Sequence, residues 1–222
     1  MEQLTDITPQ DSKKSRIRHI SWLVLSARTV SLIFSPFYLP VTSFILLFTF
    51  SYLNMLPPVT KLILMGIVYL FTILLPHFCI MLYRQINGWT SHQMSQRERR
   101  FVPYIVSIVS YASLLFLLIK LHIPHFALGI IVSALAIQIT CSLVNSLIKV
   151  STHAAASGGL IGALIAFSFI FSFDPTFWLC LCILFCGMVC SARLILRQHT
   201  FGELGLGVFI GIVCGFFGII LI

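Results

Sequence analysis

Long apolar runs alternate with short polar breaks along this chain, and the breaks predict where helices begin and end. A bilayer-crossing helix needs about 20 predominantly apolar residues. Residues 37–56 are a first such stretch, closed by Asn54 and the Pro57-Pro58 turn, and residues 62–83 are a second. Residues 84–100 form the one long polar loop. A third span covers 101–119 and turns at His122-Ile123-Pro124; a fourth covers 126–148. After the small-residue stretch Ser151 to Gly159, a fifth covers 157–173 and turns at Asp174-Pro175. A sixth covers 177–196, and a polar link, Arg197 to Glu203, leads to the seventh, 203–222. No strand-like alternation, low-complexity tract or internal repeat breaks the pattern.

Residues 20–36 are apolar but short, and Arg28 interrupts them. An arginine at mid-bilayer costs about 3 kcal/mol on insertion scales. The stretch therefore predicts an interfacial or broken helix leading into the first span. Residues 1–19 are a polar basic segment with Lys13, Lys14, Arg16 and Arg18, and no removable signal peptide is expected. Residues 20–222 form a single transmembrane domain. Pro36, Pro40 and Pro76 are expected to kink or end helices.

Composition narrows the class. Apolar residues make up 59% of the chain and charged residues 9%, whereas a soluble domain is about 45–50% apolar and about 25% charged. The expected fold is an all-α polytopic transmembrane bundle of six to seven spans. The net charge of +8 sits at the ends of apolar runs, where it meets lipid headgroups or anionic ligands rather than nucleic acid. The cysteines lie inside apolar runs without metal-site spacing; Cys182, Cys186 and Cys190 share one helix face and read as small packing residues. Gly158, Gly159, Gly162, Gly205, Gly207, Gly211 and Gly215 read as sites of close helix approach.

The ionisable residues then locate the chemistry. The loop after span two carries Arg84, His92, Arg97, Glu98, Arg99 and Arg100; the link after span four carries Lys149, Ser151 and His153; the link after span six carries Arg193, Arg197, His199 and Glu203. These links are two spans apart, so they share one membrane face. Arginines suit phosphate, which takes forked, charge-assisted hydrogen bonds. A histidine beside phosphate acts as nucleophile or general acid, and a nucleophilic imidazole needs its second nitrogen held by an acceptor. Glu203 lies four residues after His199, on the same helix face. Asp174 falls on the opposite side of the membrane, which leaves Glu203 as the available orienter. Glu203 also ends a Thr-x-x-Glu capping box that begins at Thr200, so a helix cap alone is the alternative reading. Arg97, Arg99, Arg100 and Arg197 read also as headgroup anchors.

These residues resemble the type-2 phosphatidic acid phosphatase superfamily, whose motifs are KxxxxxxRP, PSGH and SRxxxxxHxxxD. The third is matched by Ser191-Ala192-Arg193, five residues, His199, three residues and Glu203, with Ala192 inserted and Glu for Asp. The second is Val150-Ser151-Thr152-His153, which keeps Ser and His. The first is weakest: Arg97-Glu98-Arg99-Arg100-Phe101-Val102-Pro103 has arginines and a proline but no lysine. The resemblance covers about residues 90–222 and points to a divergent bacterial branch, hence a bacterial plasma (inner) membrane.

What the resemblance implies is double displacement. His199 would attack phosphorus, Glu203 would orient it, and His153 would protonate the leaving oxygen. Arg193, with Arg97, Arg99 and Arg100, would hold the phosphoryl oxygens; Ser151 and the Thr152 amide would add hydrogen bonds. No metal and no cofactor are implied, in keeping with the scarcity of carboxylates that Mg²⁺ would need, and no HExxH points to zinc. The partner would be a membrane lipid phosphate or pyrophosphate, of the isoprenyl pyrophosphate or phosphatidate class. Two other functions stay open at this point: a non-catalytic protein that binds or moves an anionic lipid, and a lipid phosphotransferase. The side of the membrane holding the site and the oligomeric state also stay open.

Overall fold

A computed structural model describes residues 22–50, 55–88 and 101–222. Arg97, Arg99 and Arg100 lie outside the described residues. The described chain is all-α. Its helices are α1 (Trp22–Ile33), α2 (Leu39–Phe50), α3 (Pro58–Ile86), α4 (Phe101–Lys120), α5 (His125–Leu147), α6 (Thr152–Phe171), α7 (Thr176–Ile195) and α8 (Phe201–Ile220). Helices α3 to α8 are each long and apolar enough to cross a membrane. Large apolar side chains such as Leu62, Phe116, Leu143 and Phe209 face outward, as solvation by lipid requires. The protein is therefore an integral membrane helix bundle.

Helices α1 and α2 have 12 residues each, about 18 Å of helix, against a hydrocarbon core of about 30 Å. The described residues of neither are long enough to cross alone. Ser35, Pro36, Phe37 and Tyr38 break the helix between them, and Pro40 sits in the first turn of α2, where its missing N–H costs nothing. Ser31 meets Arg193 and Phe34 stacks on Phe185, with ring centroids 5.1 Å apart. Numbers rise along α1 as they fall along α7, so the two are antiparallel. The start of α1 therefore lies at the end of the bundle where α7 ends. Helix α1 is the short helix expected ahead of the first span; of the full span expected over residues 37–56 the structure describes the 12-residue α2, and residues 51–54 lie outside the described residues.

Pro76 acts inside α3. It offers no N–H to the Thr72 carbonyl, and the helix widens into a π turn at Leu70–Leu74. Ser110 of α4 donates to the Phe71 carbonyl there, which satisfies backbone that lipid could not. The main apolar core joins Phe44 and Leu47 of α2, Val68 of α3, Leu114 and Leu118 of α4, and Ile131 of α5.

Helix α6 starts at Thr152, five residues before the expected boundary. The stretch Ser151 to Gly159 reads as a link because it is small and weakly hydrophobic. It is instead the cap and first two turns of a helix that packs closely against α8. Gly158 and Gly162 lie against the carbonyls of Val208 and Ile212, and Gly211 and Gly215 lie against those of Ala155 and Gly159. Gly205 departs from the expectation, since it faces open space. Asp174 lies in the α6–α7 link, across the bundle from the α5–α6 and α7–α8 links. Its Oδ1 accepts from the Thr176 hydroxyl at 2.6 Å and amide at 2.9 Å, and these bonds hold its carboxyl below the usual range. That makes it the start of α7 rather than part of the site.

Candidate active site

The site is built where α7 ends and α8 begins. Arg197 adopts a left-handed conformation (φ 51°). Gln198 N–H donates to the Arg193 carbonyl at 3.1 Å and Arg197 N–H to the Leu194 carbonyl at 2.9 Å, the paired bonds of a Schellman stop. An L-residue there costs about 1–2 kcal/mol, and in return the chain reverses sharply and carries His199 back into the bundle. His199 is only 8% exposed.

His199 Nδ1 lies 2.7 Å from Glu203 Oε2. A carboxylate only accepts, so this bond makes Nδ1 the donor and leaves the lone pair on Nε2. The same Glu203 oxygen accepts from the Thr200 amide at 3.4 Å, and Thr200 Oγ1 accepts from the Glu203 amide at 3.4 Å. The capping box is complete. Glu203 is thus cap and histidine partner at once, and the cap fixes where its carboxylate sits.

Lys149, in the α5–α6 link, joins the two polar links. Its Nζ donates to the Gln198 carbonyl at 2.6 Å and stands 4.0 Å from Glu203 Oε2. The sequence places Lys149 on the right face but gives no sign of this partner, which is 49 residues away.

An open cleft of about 870 Å³ lies beside these residues, lined by His153, Arg193, Arg197 and Gln198 together with Arg28 and Ser31 of α1. Its size suits a small-molecule site. Arg193 Nη1 donates to Ser31 Oγ at 3.0 Å, so the guanidinium is aimed across the cleft instead of out along the helix. His199 is not itself a lining residue; it is buried directly after Gln198. The structure thus brings His153 and Arg193 into one cavity and couples His199 to Glu203 next to it.

The side chains of Ser151 and Thr152 lie outside the cleft lining. The Ser151 hydroxyl is fully buried and accepts from the Ala154 amide at 3.4 Å as the cap of α6. Thr152 lines a separate cavity of about 50 Å³ with Tyr111 and Gln138. Neither side chain lines the cleft. Among the described residues, no group of three or more His, Cys, Asp or Glu side chains is placed to hold a metal.

Arg28 and Ser31 are among the cleft residues that the sequence does not assign to a site. The signal for them exists: Arg28, Ser31 and Ser35 follow at spacings of three and four in an otherwise apolar run, a polar stripe on one helix face.

The fold and this cluster define a polytopic membrane protein with a polar, cationic cleft at one end of its bundle. No family model matches the chain, and no match was found among curated proteins or among solved structures.

Proposed function

We propose that this protein is an integral membrane lipid phosphatase that works through a phosphohistidine intermediate, as the resemblance of its motifs suggests. The observation that carries the reading is the 2.7 Å bond between buried His199 and Glu203, beside a cleft that holds His153 and Arg193. His199 Nε2 attacks phosphorus while the bond from phosphorus to the leaving oxygen breaks. The electron pair goes to that oxygen, which takes a proton from His153. Arg193 offsets charge on the phosphoryl oxygens. Water then attacks the phosphohistidine, the P–N bond breaks, and His153 takes the water's proton. Glu203 stabilises the positive imidazole throughout. A site at the end of the bundle suits a lipid whose headgroup leaves the bilayer while its chains stay behind. The bacterial plasma membrane is the proposed location.

The test is phosphate release from phosphatidate, an isoprenyl monophosphate and an isoprenyl diphosphate, using detergent-purified full-length protein with EDTA present. Turnover of at least one lipid is expected. Lipid binding without turnover by folded protein would replace this reading with the binding one. Transfer of the phosphoryl group to an added alcohol, without release to water, would make the protein a phosphotransferase.

Lys149 provides a second test. Lys149→Met removes a charged donor from the Gln198 carbonyl and a cation from Glu203. A hydrogen bond from a charged group contributes about 1.5–3 kcal/mol, while a half-exposed ion pair at 4.0 Å adds little. The expected result is a fall in kcat of about tenfold, since a factor of ten is about 1.4 kcal/mol, with KM nearly constant. An unchanged kcat would show that the bridge between the two links does not position His199.

A further inference from the structure

The cavity of about 50 Å³ that Thr152 lines lies between α2, α4, α5 and α6, and each of the four helices brings a polar group to it: Ser43, Tyr111, Gln138 and Thr152. Tyr111 follows the start of α4 at Phe101 by ten residues, about 15 Å along the axis, which is mid-span. It is fully buried, and its hydroxyl has no hydrogen-bond partner among the described residues. A buried hydroxyl left that way is costly. The break between α1 and α2 adds an acceptor. Pro36 lines the cavity, and Pro40, four residues on, has no N–H to offer the Pro36 carbonyl.

None of the lining residues is charged, so an ion would find no counter-charge there. The ligand that fits is small and neutral, and both donates and accepts hydrogen bonds. Water needs about 10–15 Å³ of such space and two to four polar partners, so this cavity has room for a few molecules. A neighbouring cavity of about 40 Å³ provides the contrast. It shares Ser43, Leu160 and Ala163 with the first, but its remaining walls are leucine and phenylalanine side chains such as Leu46, Phe167 and Phe171. A void with walls of that kind stays dry.

We propose that the polar cavity is a water-binding site within the membrane domain. Its waters accept from the Tyr111 hydroxyl, donate to the Pro36 carbonyl and bond to Gln138 and Thr152. Lipid offers these groups no partner, and the waters do. They tie the α1–α2 break to α4, α5 and the start of α6. The segment before that break carries Ser31, which holds Arg193, and Thr152 directly precedes His153. Both Ser31 and His153 line the cleft, so the water cluster braces two of its walls from behind. The site stands independently of the phosphatase reading.

Tyr111→Phe tests this by the sign of its effect. In a dry cavity, removing an unpartnered hydroxyl leaves stability unchanged or raises it. With water bound, the variant loses a hydrogen bond, and its unfolding temperature in detergent is expected to fall by roughly 2–4 °C. Combining it with Gln138→Met is expected to lower the temperature by less than the sum of the two single shifts, because both side chains bond one cluster. The wild-type full chain gives a second measurement that stands if a variant fails to fold. Hydroxyl radicals made from bound water by a short X-ray pulse oxidise the side chains beside it. Tyr111 is expected to be oxidised at a dose that leaves Phe44, equally buried in the apolar core, unmodified. An unmodified Tyr111, or a Tyr111→Phe variant at least as stable as wild type, overturns the water site. Stabilisation by sodium over choline that Tyr111→Phe abolishes would make the occupant a cation and overturn it as well.

Discussion

His199→Ala is expected to lower phosphate release on the order of 10⁴-fold or more, the scale found when a covalent nucleophile is removed. The variant should still fold, because the Thr200–Glu203 capping box that opens α8 does not use the imidazole. Glu203→Gln separates the two roles of the carboxylate. An amide offers the Nδ1 position either an oxygen or an NH₂ group. When NH₂ faces the ring, the imidazole proton moves to Nε2 and the nucleophilic lone pair is lost, for an expected fall of about 10²–10⁴-fold in kcat. Thr200→Val is the control for the cap alone. It removes the hydroxyl that accepts from the Glu203 amide, should cost about 1 kcal/mol of stability, and should leave turnover within about threefold, well below the general-base range. Phosphate release and thermal unfolding, measured on the same detergent preparations, decide the matter. Turnover retained in His199→Ala would remove the proposed nucleophile. Equal losses in Glu203→Gln and Thr200→Val would reduce Glu203 to a helix cap.

The parts of this site that were legible in the sequence are local in the chain. His199 and Glu203 are four residues apart at a helix start, so spacing alone places them on one face, and the 2.7 Å bond agrees with that geometry. The shared face of the α5–α6 and α7–α8 links follows from counting spans, and the bond from Lys149 to Gln198 joins those two links directly. What escaped depends on long-range packing. Ser31 and Arg193 are 162 residues apart, and nothing in either segment names the other. Arg28 was legible as an expensive residue but not as a cleft residue, because the sequence does not say that α1 lies along α7. The sequence misplaces the start of α6 for a different reason. Ser151 to Gly159 is small and weakly hydrophobic, so hydropathy undervalues it, although small residues are what a tight membrane-helix contact requires.

That contact yields the second large expectation. Gly211→Ala should destabilise the protein and Gly205→Ala should not, although both glycines lie on α8. In an open helical position, Ala is favoured over Gly by about 0.5–1 kcal/mol. Gly205 has nothing within 4 Å of an added Cβ, so Gly205→Ala should raise the unfolding temperature or leave it unchanged. At Gly211, the added methyl group meets the Ala155 carbonyl and the backbone nitrogen of Gly159. These are backbone atoms and cannot rotate aside, so the helices must separate. Overpacking of this kind costs about 1–3 kcal/mol, more than the helix propensity returns. The effect should reach the chemistry as well. Ala155 lies in the first turn of α6, two residues after His153, and α8 carries Glu203 in its own first turn. Driving α6 from α8 shifts the proposed acid away from the proposed nucleophile, so Gly211→Ala should lose activity even where it remains folded. Thermal unfolding and turnover of the two variants test this together. Equal stability of Gly211→Ala and wild type, or equal damage from both substitutions, would mean that the glycine contact between α6 and α8 does not hold the site together.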